Sequence, residues 1–375
     1  MVQYVECYPE YQKLEGFLKC ILRILKLSFK PWTLLRGYEK FILVLIYNIY
    51  SLISAVFTLV YFEQNIMAIL LRIMVIAGFM EVLIKSLVII MQTNKLKILF
   101  LFIEEIHQIH EFDLITDSAK FYMKHLKRSL GLIKIILRIL FLGMLMASVA
   151  MTFYIFYTDS MALAVPGVFP SKNSSLFYQH VHQCICFQIS TIIISMSDTV
   201  IIIIGFYFIA VLNIFQDIIQ YIEQFDSRNK EGVLIQLYKF HCNILEKFNI
   251  FSEVFYYFIS VQIAASAIFI LCVFFLVLSE VSFIPLFVLV HGQFAVICIF
   301  GELMYSKTER FSTEFYLTNW YELGSKEQKI LLTMMFMSQK TFGLKAAGMY
   351  DINLRMFIEV VKAGVSFLTI LYTLA

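Results

Sequence analysis

Histidine and cysteine alternate in one short stretch of the sequence, where the ligands of a metal site would be sought first. The run HVHQCIC places His180, His182, Cys184 and Cys186 at every second position. These residue types bind zinc, but side chains two positions apart on a helix point to different faces and do not converge on one ion. The spacing therefore does not predict a metal site.

The sequence also lacks the patterns of common catalytic sites. A second run with histidines, EEIHQIH, starts at Glu104 and does not have the His-Glu-x-x-His order of zinc proteases. We find neither a nucleophile with a paired base nor a glycine-rich phosphate loop. We expect no catalytic residues, no metal and no cofactor, and therefore a protein that is not an enzyme.

Three charged residues interrupt stretches that are otherwise strongly apolar. Glu81 and Lys85 are spaced i, i+4, which predicts an ion pair along one helix. Asp198 lies in a second apolar stretch, and an ionisable residue inside a membrane span is costly and often functional. A structural hydrogen-bonding role and a functional role both stay open for Asp198.

The elements that hold these residues are long apolar segments. Hydrophobic residues make up 60% of the chain and charged residues 15%, against about 25% charged in ordinary soluble domains. Several uncharged runs reach the roughly 20 residues that a helix needs to cross a bilayer. We predict an all-α polytopic membrane protein with seven spans, at residues 39–62, 66–92, 131–157, 184–212, 254–279, 282–304 and 353–375.

The distribution of basic residues predicts the orientation of these spans. With the N-terminus in the cytosol, 23 Lys and Arg lie in the cytosolic segments and one, Lys172, lies outside, as the positive-inside rule requires. The single Asn-x-Ser/Thr sequon, at Asn173, then falls in the one sizeable outer loop and is a candidate glycosylation site. We expect a cytosolic N-terminus and an extracellular C-terminus, which is opposite to G-protein-coupled receptors.

The last predicted span carries a polar stripe along one face. At the helical period, its polar residues fall close to a single line: Arg355, Glu359, Lys362, Ser366, Thr369 and Thr373. One interpretation is that the charged residues pair with one another at the membrane interface. The other is that several copies enclose a water-filled pore, narrowed near Ile370, Thr373 and Leu374. A pore built from one helix per chain requires an oligomer.

The C-terminal third resembles the insect odorant receptor family. The matching residues are Cys298, Gly301, Glu302 and Tyr305, then Tyr316 with Asn319-Trp320-Tyr321, then Gln339-Lys340, Ala347-Gly348 and Ser366-Phe367. These motifs cover about 80 residues. The rest of the chain is similar in length, number of spans and orientation.

This resemblance implies an odorant-gated, non-selective cation channel made of four subunits around a central pore. A ligand-tuned subunit of this kind assembles with a shared co-receptor in the plasma membrane of sensory neuron dendrites, among lipid and without nucleic acid. By the C-terminal match, Ile370 and Leu374 take the positions of a hydrophobic gate, Thr373 the outer constriction, and Ser366 a position on the pore wall. The partners implied are the co-receptor and a small volatile odorant.

The same resemblance implies four regions in the chain. They are a cytosolic N-terminal segment (1–38), a six-helix bundle with the ligand pocket (39–304), a cytosolic anchor (305–352) and a pore-lining terminal helix (353–375). The anchor contains the amphipathic stretch SKEQKILLTMMFMSQKTF. Packing between subunits and lying on the membrane surface are both open interpretations of that stretch.

The ligand pocket is expected in the outer half of the bundle, between the second, third, fourth and sixth spans. Such a site should be apolar, with few polar groups. The residues that we place there are Ile69, Arg72, Ile73, Ile76, Met146, Val149, Ala150, Phe153, Ser190, Ile194, Ser197, Phe287 and His291.

Three other classes of membrane protein stay open as alternatives. One is a G-protein-coupled receptor, which would need its N-terminus outside the cell. A gustatory-type receptor channel, forming homotetramers, would share the architecture, but its usual Thr-Tyr-hydrophobic-Gln-Phe ending is absent here. A transporter should show internal repeats or interrupted helices in both halves, and Pro285 alone is insufficient evidence for one.

Overall fold

The computed structural model describes residues 3–4, 6–25, 42–62, 65–109, 118–169, 177–221, 230–346, 348 and 350–374. Within these ranges the chain is almost entirely α-helical. The helices are α1 (Tyr8–Leu25), α2 (Ile42–Tyr61), α3 (Ile66–Met91), α4 (Thr93–Ile106), α5 (Ser118–Thr158), α6 (Phe177–Tyr221), α7 (Lys230–Ser279), α8 (Ile284–Leu317), α9 (Ser325–Ser338) and α10 (Leu354–Leu374).

Six of these helices are long and apolar enough to cross a membrane: α2, α3, α5, α6, α7 and α8. The seventh predicted span is α10, which is less apolar because Arg355, Glu359 and Lys362 lie in its first half. The prediction of an all-α, polytopic membrane protein is confirmed. Helices α5 to α8 extend well beyond the apolar segments that predicted them.

Helix α6 lies at the centre of the bundle and is packed on most of its surface. It contacts α5, α3, α8 and α7, and its side chains Val211, Ile214, Phe215 and Ile219 are fully buried. Phe215 contacts Phe311 of α8 edge-to-face, with ring centroids 5.0 Å apart, an arrangement that aromatic pairs favour. Helices α3, α5, α7 and α8 therefore surround this helix.

Helices α1 and α4 pack against the C-terminal half of α6, near Tyr207 and Phe208. Residues Leu14, Leu18, Ile21 and Leu25 form one buried stripe on α1, at the spacing of an amphipathic helix. The ring of Tyr11 stacks on His107, which follows α4, at 4.4 Å. Burial lowers the pKa of the His107 imidazole, so this ring is neutral in the packed arrangement. A short antiparallel pair, β1 (Gln3–Tyr4) with β2 (Gln108–Ile109), lies beside it.

A short hairpin leads into α10. It pairs β3 (Lys345–Ala346) with β4 (Tyr350–Asp351), and the Ile352 amide donates a hydrogen bond to the Leu344 carbonyl at 3.0 Å. Gly301 of α8 lets this strand approach closely, since a Cβ at that position would lie 2.2 Å from the Ile352 carbonyl oxygen. Gly301 is also one of the family-like residues in the sequence.

Helix α10 packs against α7 and α8. Gly364 makes this close packing possible, because a Cβ there would lie 2.8 Å from the ring of Phe274 and 3.0 Å from Ile270. Phe357 lies against Phe294 of α8, with ring centroids 5.6 Å apart. The small and apolar face of α10 is therefore the face turned toward its own chain.

Candidate functional site

A cavity of about 200 Å³ lies between α3, α5, α6 and α8, with one residue from α7. Its walls are predominantly apolar and aromatic, which suits a small organic ligand. The lining residues are Leu71, Met74, Val75, Gly78, Phe79, Glu81, Val82, Met144, Ala147, Ser148, Met151, Phe187, Ser190, Thr191, Ile194, Phe269, Leu286, Leu289, Val290 and Gln293.

Most of the polar groups in the cavity wall are already hydrogen-bonded to the protein. Ser148 donates to the Gln188 side chain at 2.9 Å, Ser190 is bonded to the Tyr47 hydroxyl at 3.1 Å, and Thr191 donates to the Phe187 carbonyl at 2.8 Å. Among the described residues, Gln293 makes no side-chain hydrogen bond. Unpaired polar groups in a ligand cavity are suited to orienting the ligand.

One wall of the cavity leads to a buried group of three charges. Glu81 lines the cavity, and its carboxylate lies 2.6 Å from the Lys85 ammonium. Lys85 also donates to the Asp198 carboxylate at 2.6 Å, and its nitrogen lies 4.8 Å from the centre of the Phe258 ring. All three side chains are almost completely buried. We call Glu81, Lys85 and Asp198 the charged triad.

The triad contains the ion pair that the sequence predicted and gives Asp198, whose role the sequence left open, a bonding partner. The i, i+4 pairing of Glu81 with Lys85 is present. Asp198 is bonded to the same lysine from the neighbouring helix α6, which ties α3 to α6 inside the bundle. A shared cation reduces the cost of burying each carboxylate.

The connection after α5 inserts into the bundle near the cavity. Ala162, Leu163 and Ala164 are fully buried, and Leu163 belongs to the same apolar cluster as Leu71 and Met74 of the cavity wall. This buried turn needs partners for its backbone groups, and side chains of the helices supply them. We call residues 161–165 the strap.

Polar side chains of α2, α3 and α6 hold the strap. On α2, the Thr58 hydroxyl accepts a hydrogen bond from the Ala164 amide at 2.7 Å. The Gln183 side chain accepts hydrogen bonds from the amides of Ala162 and Leu163 at 2.9 and 3.1 Å. Arg72 donates to the Met161 carbonyl at 3.2 Å and to the Phe62 carbonyl at 3.3 Å. Arg72, which we had placed in the ligand pocket, therefore binds the backbone of the loops and does not line the cavity.

Two of the residues expected in the pocket, Ser190 and Ile194, line the cavity. On α5 the cavity is lined by Met144, Ala147, Ser148 and Met151 instead of the expected stripe. The expected residues Met146, Val149, Ala150 and Phe153 lie on another face of that helix, and Met146 and Phe153 are 67% and 72% exposed.

The remaining expected pocket residues also lie outside the cavity. Ile69, Ile73 and Ile76 are on a different face of α3 from its lining residues. Ser197 is buried and donates to the Ile193 carbonyl at 2.9 Å. Phe287 and His291 stack on each other at 4.0 Å and pack against Phe274 of α7.

Among the lining residues that the sequence analysis did not predict, two polar side chains could have indicated the cavity face. Helix α3 and the second half of α5 are apolar on nearly every side, so hydrophobicity does not reveal which face turns inward. Ser148 and Gln293 are polar residues in apolar spans, and such residues tend to face the interior of a bundle. They indicate the cavity face of α5 and α8.

Helix α10 presents its polar stripe outward, away from α7 and α8. Arg355 and Glu359 pair at 3.2 Å with side chains 85% and 64% exposed. Ser366 and Thr373 are exposed and donate to the Lys362 and Ile370 carbonyls of their own helix. Ile370 is 55% exposed. The side chain of Leu374 and the whole of Asn173 lie outside the described residues.

The histidine and cysteine run lies at the start of α6. Cys186 lies 3.5 Å from the His182 ring nitrogen Nε2, but the two histidines have different partners. His182 bonds to the Tyr50 hydroxyl at 2.8 Å, whereas His180 bonds to the Asp159 carboxylate at 3.2 Å. Across the residues that the structure describes, no group of three or more potential ligands could hold a metal ion.

Helix α9 of the expected anchor is buried on one side. Leu331 and Met334 are buried, while Leu332 and Phe336 are 65% and 74% exposed. This helix packs against α7 and α8, and its outer apolar pair is uncovered in the single chain.

Comparison with known proteins agrees with this arrangement. A family model described as 7tm Odorant receptor matches residues 65–365. The structure of the insect olfactory receptor OR5 from Machilis hrabei in complex with eugenol matches with a TM-score of 0.80 and 14% identity over 99% of this chain and 100% of that one. A second structure of insect olfactory receptor OR5 from Machilis hrabei has a TM-score of 0.78, 13% identity and the same coverage.

At these identities the two receptor structures establish a shared fold. A comparison with curated proteins finds no match. The family model, however, covers most of the chain, which confirms the resemblance seen in the C-terminal motifs. The chain belongs to the 7tm odorant receptor family.

Proposed function

We propose that this chain is the ligand-binding subunit of an odorant-gated, non-selective cation channel. A small volatile molecule occupies the cavity between α3, α5, α6 and α8 and opens a pore lined by α10. The proposal includes four subunits around the pore, with a co-receptor as partner, in the plasma membrane of sensory neuron dendrites. It takes the N-terminus as cytosolic, because the basic residues concentrate in the segments on that side.

The uncovered polar stripe of α10 is the observation that carries this proposal. The apolar face of the helix is packed against α7 and α8, while Arg355, Glu359, Lys362 and Ser366 are exposed. A charged side chain facing lipid costs about 2.5–3.5 kcal/mol on insertion scales. Water in a shared pore, or polar partners on neighbouring subunits, would remove that cost.

The cavity supports the ligand-binding half of the proposal. Its size and apolar lining suit a small odorant, and a structurally similar receptor was solved in complex with eugenol. A ligand can shift the channel toward an open state only by binding that state more tightly.

Two helices connect the cavity to the pore helix. On α7, Phe269 lines the cavity and its neighbour Ile270 contacts α10 at Gly364. On α8, Gln293 lines the cavity and its neighbour Phe294 packs on Phe357 of α10. Small shifts of α7 or α8 around a ligand would move α10 directly.

Electrophysiology tests the proposal. The chain is expressed with the co-receptor, and current is recorded during application of a panel of volatile compounds. We expect ligand-evoked cation currents that are absent when either subunit is omitted. Currents that do not depend on this chain, or a chain that stays monomeric in the membrane, would contradict it.

A further inference from the structure

The charged triad has unequal numbers of positive and negative groups. Glu81 and Asp198 each lie 2.6 Å from the single ammonium of Lys85, and no other charged residue among those described lines the cavity. Arg72, the next charged residue on α3, lies about 14 Å away along the helix axis and binds loop carbonyls. With both carboxylates ionised, the triad carries one negative charge that Lys85 does not balance.

This imbalance is costly because the triad is inside a membrane protein. Lys85 is completely buried, and Glu81 and Asp198 are nearly so. An unbalanced charge in such an environment costs several kcal/mol. No described residue supplies the missing positive charge, which leaves a proton or a cationic ligand as its source.

Glu81 is the only member of the triad that a ligand in the cavity could reach, because Lys85 and Asp198 do not line it. One oxygen of its carboxylate faces Lys85. The rest of the wall offers an apolar surface for a hydrocarbon body, for example Leu71, Phe79 and Met151, and the unpaired amide of Gln293.

We propose that the preferred ligand of this cavity is a lipophilic amine. Its ammonium group binds the Glu81 carboxylate and supplies the second positive charge of the triad, while its hydrocarbon body lies against the apolar wall. This inference rests on the proposed function, because it takes the cavity to be the ligand site. It adds the chemical class of the ligand and the residue that selects it.

The test measures binding to the purified full-length chain, so that it does not depend on channel activity. Hexylamine and 1-hexanol have the same chain length, and only the amine is cationic at neutral pH, since alkylammonium groups titrate near the lysine value of about 10.4. We expect hexylamine to bind at least about tenfold more tightly than hexanol, because a hydrogen bond between two charged groups is stronger than one to a neutral hydroxyl.

Two variants separate the role of Glu81 from general effects of charge. Glu81→Gln leaves Lys85 and Asp198 as a balanced pair and should abolish the preference for the amine. Glu253→Gln removes an exposed carboxylate that pairs with Lys95 and should keep the preference. Equal affinity of the wild-type chain for amine and alcohol would overturn the proposal, and that comparison does not require either variant.

Recording currents in parallel distinguishes the two proposals. Selective amine binding without any evoked current would refute the channel function and leave the ligand class intact. Currents evoked equally by hexanol and hexylamine, with no effect of Glu81→Gln, would refute the ligand class and leave the channel function intact.

Discussion

At the scale of single residues, Lys85 determines whether the centre of the bundle is stable. Among the described residues, its ammonium is the one cation paired with two buried carboxylates, one on its own helix and one on α6. Breaking a buried ion pair by removing one member costs more than the pair itself contributes, because the remaining charge is left uncompensated.

Lys85→Met tests this dependence. It leaves Glu81 and Asp198 close together without a cation, and we expect a loss of about 3–5 kcal/mol of stability. The measurement is the thermal unfolding temperature of the purified protein, together with its yield at the cell surface. Glu81→Gln is the matched control, since the Lys85–Asp198 pair stays balanced and the loss should be much smaller.

A triple variant with all three triad residues neutral tests whether the stability loss in Lys85→Met comes from the uncompensated carboxylates. Lys85→Met with Glu81→Gln and Asp198→Asn removes every charge of the triad and should recover much of the stability lost in Lys85→Met alone. If Lys85→Met unfolds at the wild-type temperature, the lysine does not balance these carboxylates.

At the scale of helices, the sequence predicts that the spans exist but not which way they face. The seven apolar segments correspond to α2, α3, α5, α6, α7, α8 and α10. Their rotation about the helix axis is poorly determined where hydrophobic residues surround the helix. On α5, the expected stripe starting at Met146 is offset by two positions from the observed stripe starting at Met144, a rotation of about 200°.

The lengths of the helices were also underestimated, for a physical reason. Apolar runs report only the part of a helix that meets the membrane core. Helix α7 begins at Lys230, although its uncharged run begins at Val254. The amphipathic helices α1 and α4 have no apolar run of membrane length, so a search for spans does not find them.

Helix α5 offers a direct test of which face binds ligand. Ala147 lines the cavity, whereas Ala150 lies on the exposed face. We expect Ala147→Leu to fill part of the cavity and to lower ligand potency by about tenfold or more, because overpacking costs typically 1–3 kcal/mol. Ala150→Leu adds the same volume on the exposed face and should leave potency unchanged. Concentration–response curves measure both, and the opposite result would favour the stripe that contains Ala150.

Helix α8 offers a matched pair of glycines for testing the hairpin that leads into α10. Gly301→Ala places a methyl group against the Ile352 carbonyl, where the backbone must move to accept it. We expect a loss of about 1–3 kcal/mol and weakened coupling between ligand and current. Gly292→Ala, in the same helix, meets nothing within 4 Å and should be neutral or slightly stabilising by its helix propensity. Unfolding temperatures that fall equally for the two variants would contradict the close contact.

At the scale of the whole molecule, family membership decides between classes that share seven spans. The 7tm odorant receptor assignment replaces the gustatory-type, G-protein-coupled and transporter alternatives that the sequence alone left open. The assignment also bears on two uncovered surfaces of the chain. These are the polar stripe on α10 and the apolar pair Leu332 and Phe336 on α9. Both surfaces are uncovered in the single chain, and the proposed four-subunit channel would give each of them a partner.

The pore itself is tested on α10 with residues from its two faces. Ile370→Ala should widen a hydrophobic constriction and Thr373→Ala should remove a hydroxyl from the outer end, so each should change conductance, ion selectivity or block. Val360→Ala is the control, because Val360 packs against the core of its own chain. It should reduce stability while leaving ion selectivity as it is. The measurement is current from cells that express each variant with the co-receptor. If Ile370→Ala and Thr373→Ala leave conductance, block and selectivity all unchanged, the stripe of α10 faces something other than the pore, and its charged residues must be balanced by protein.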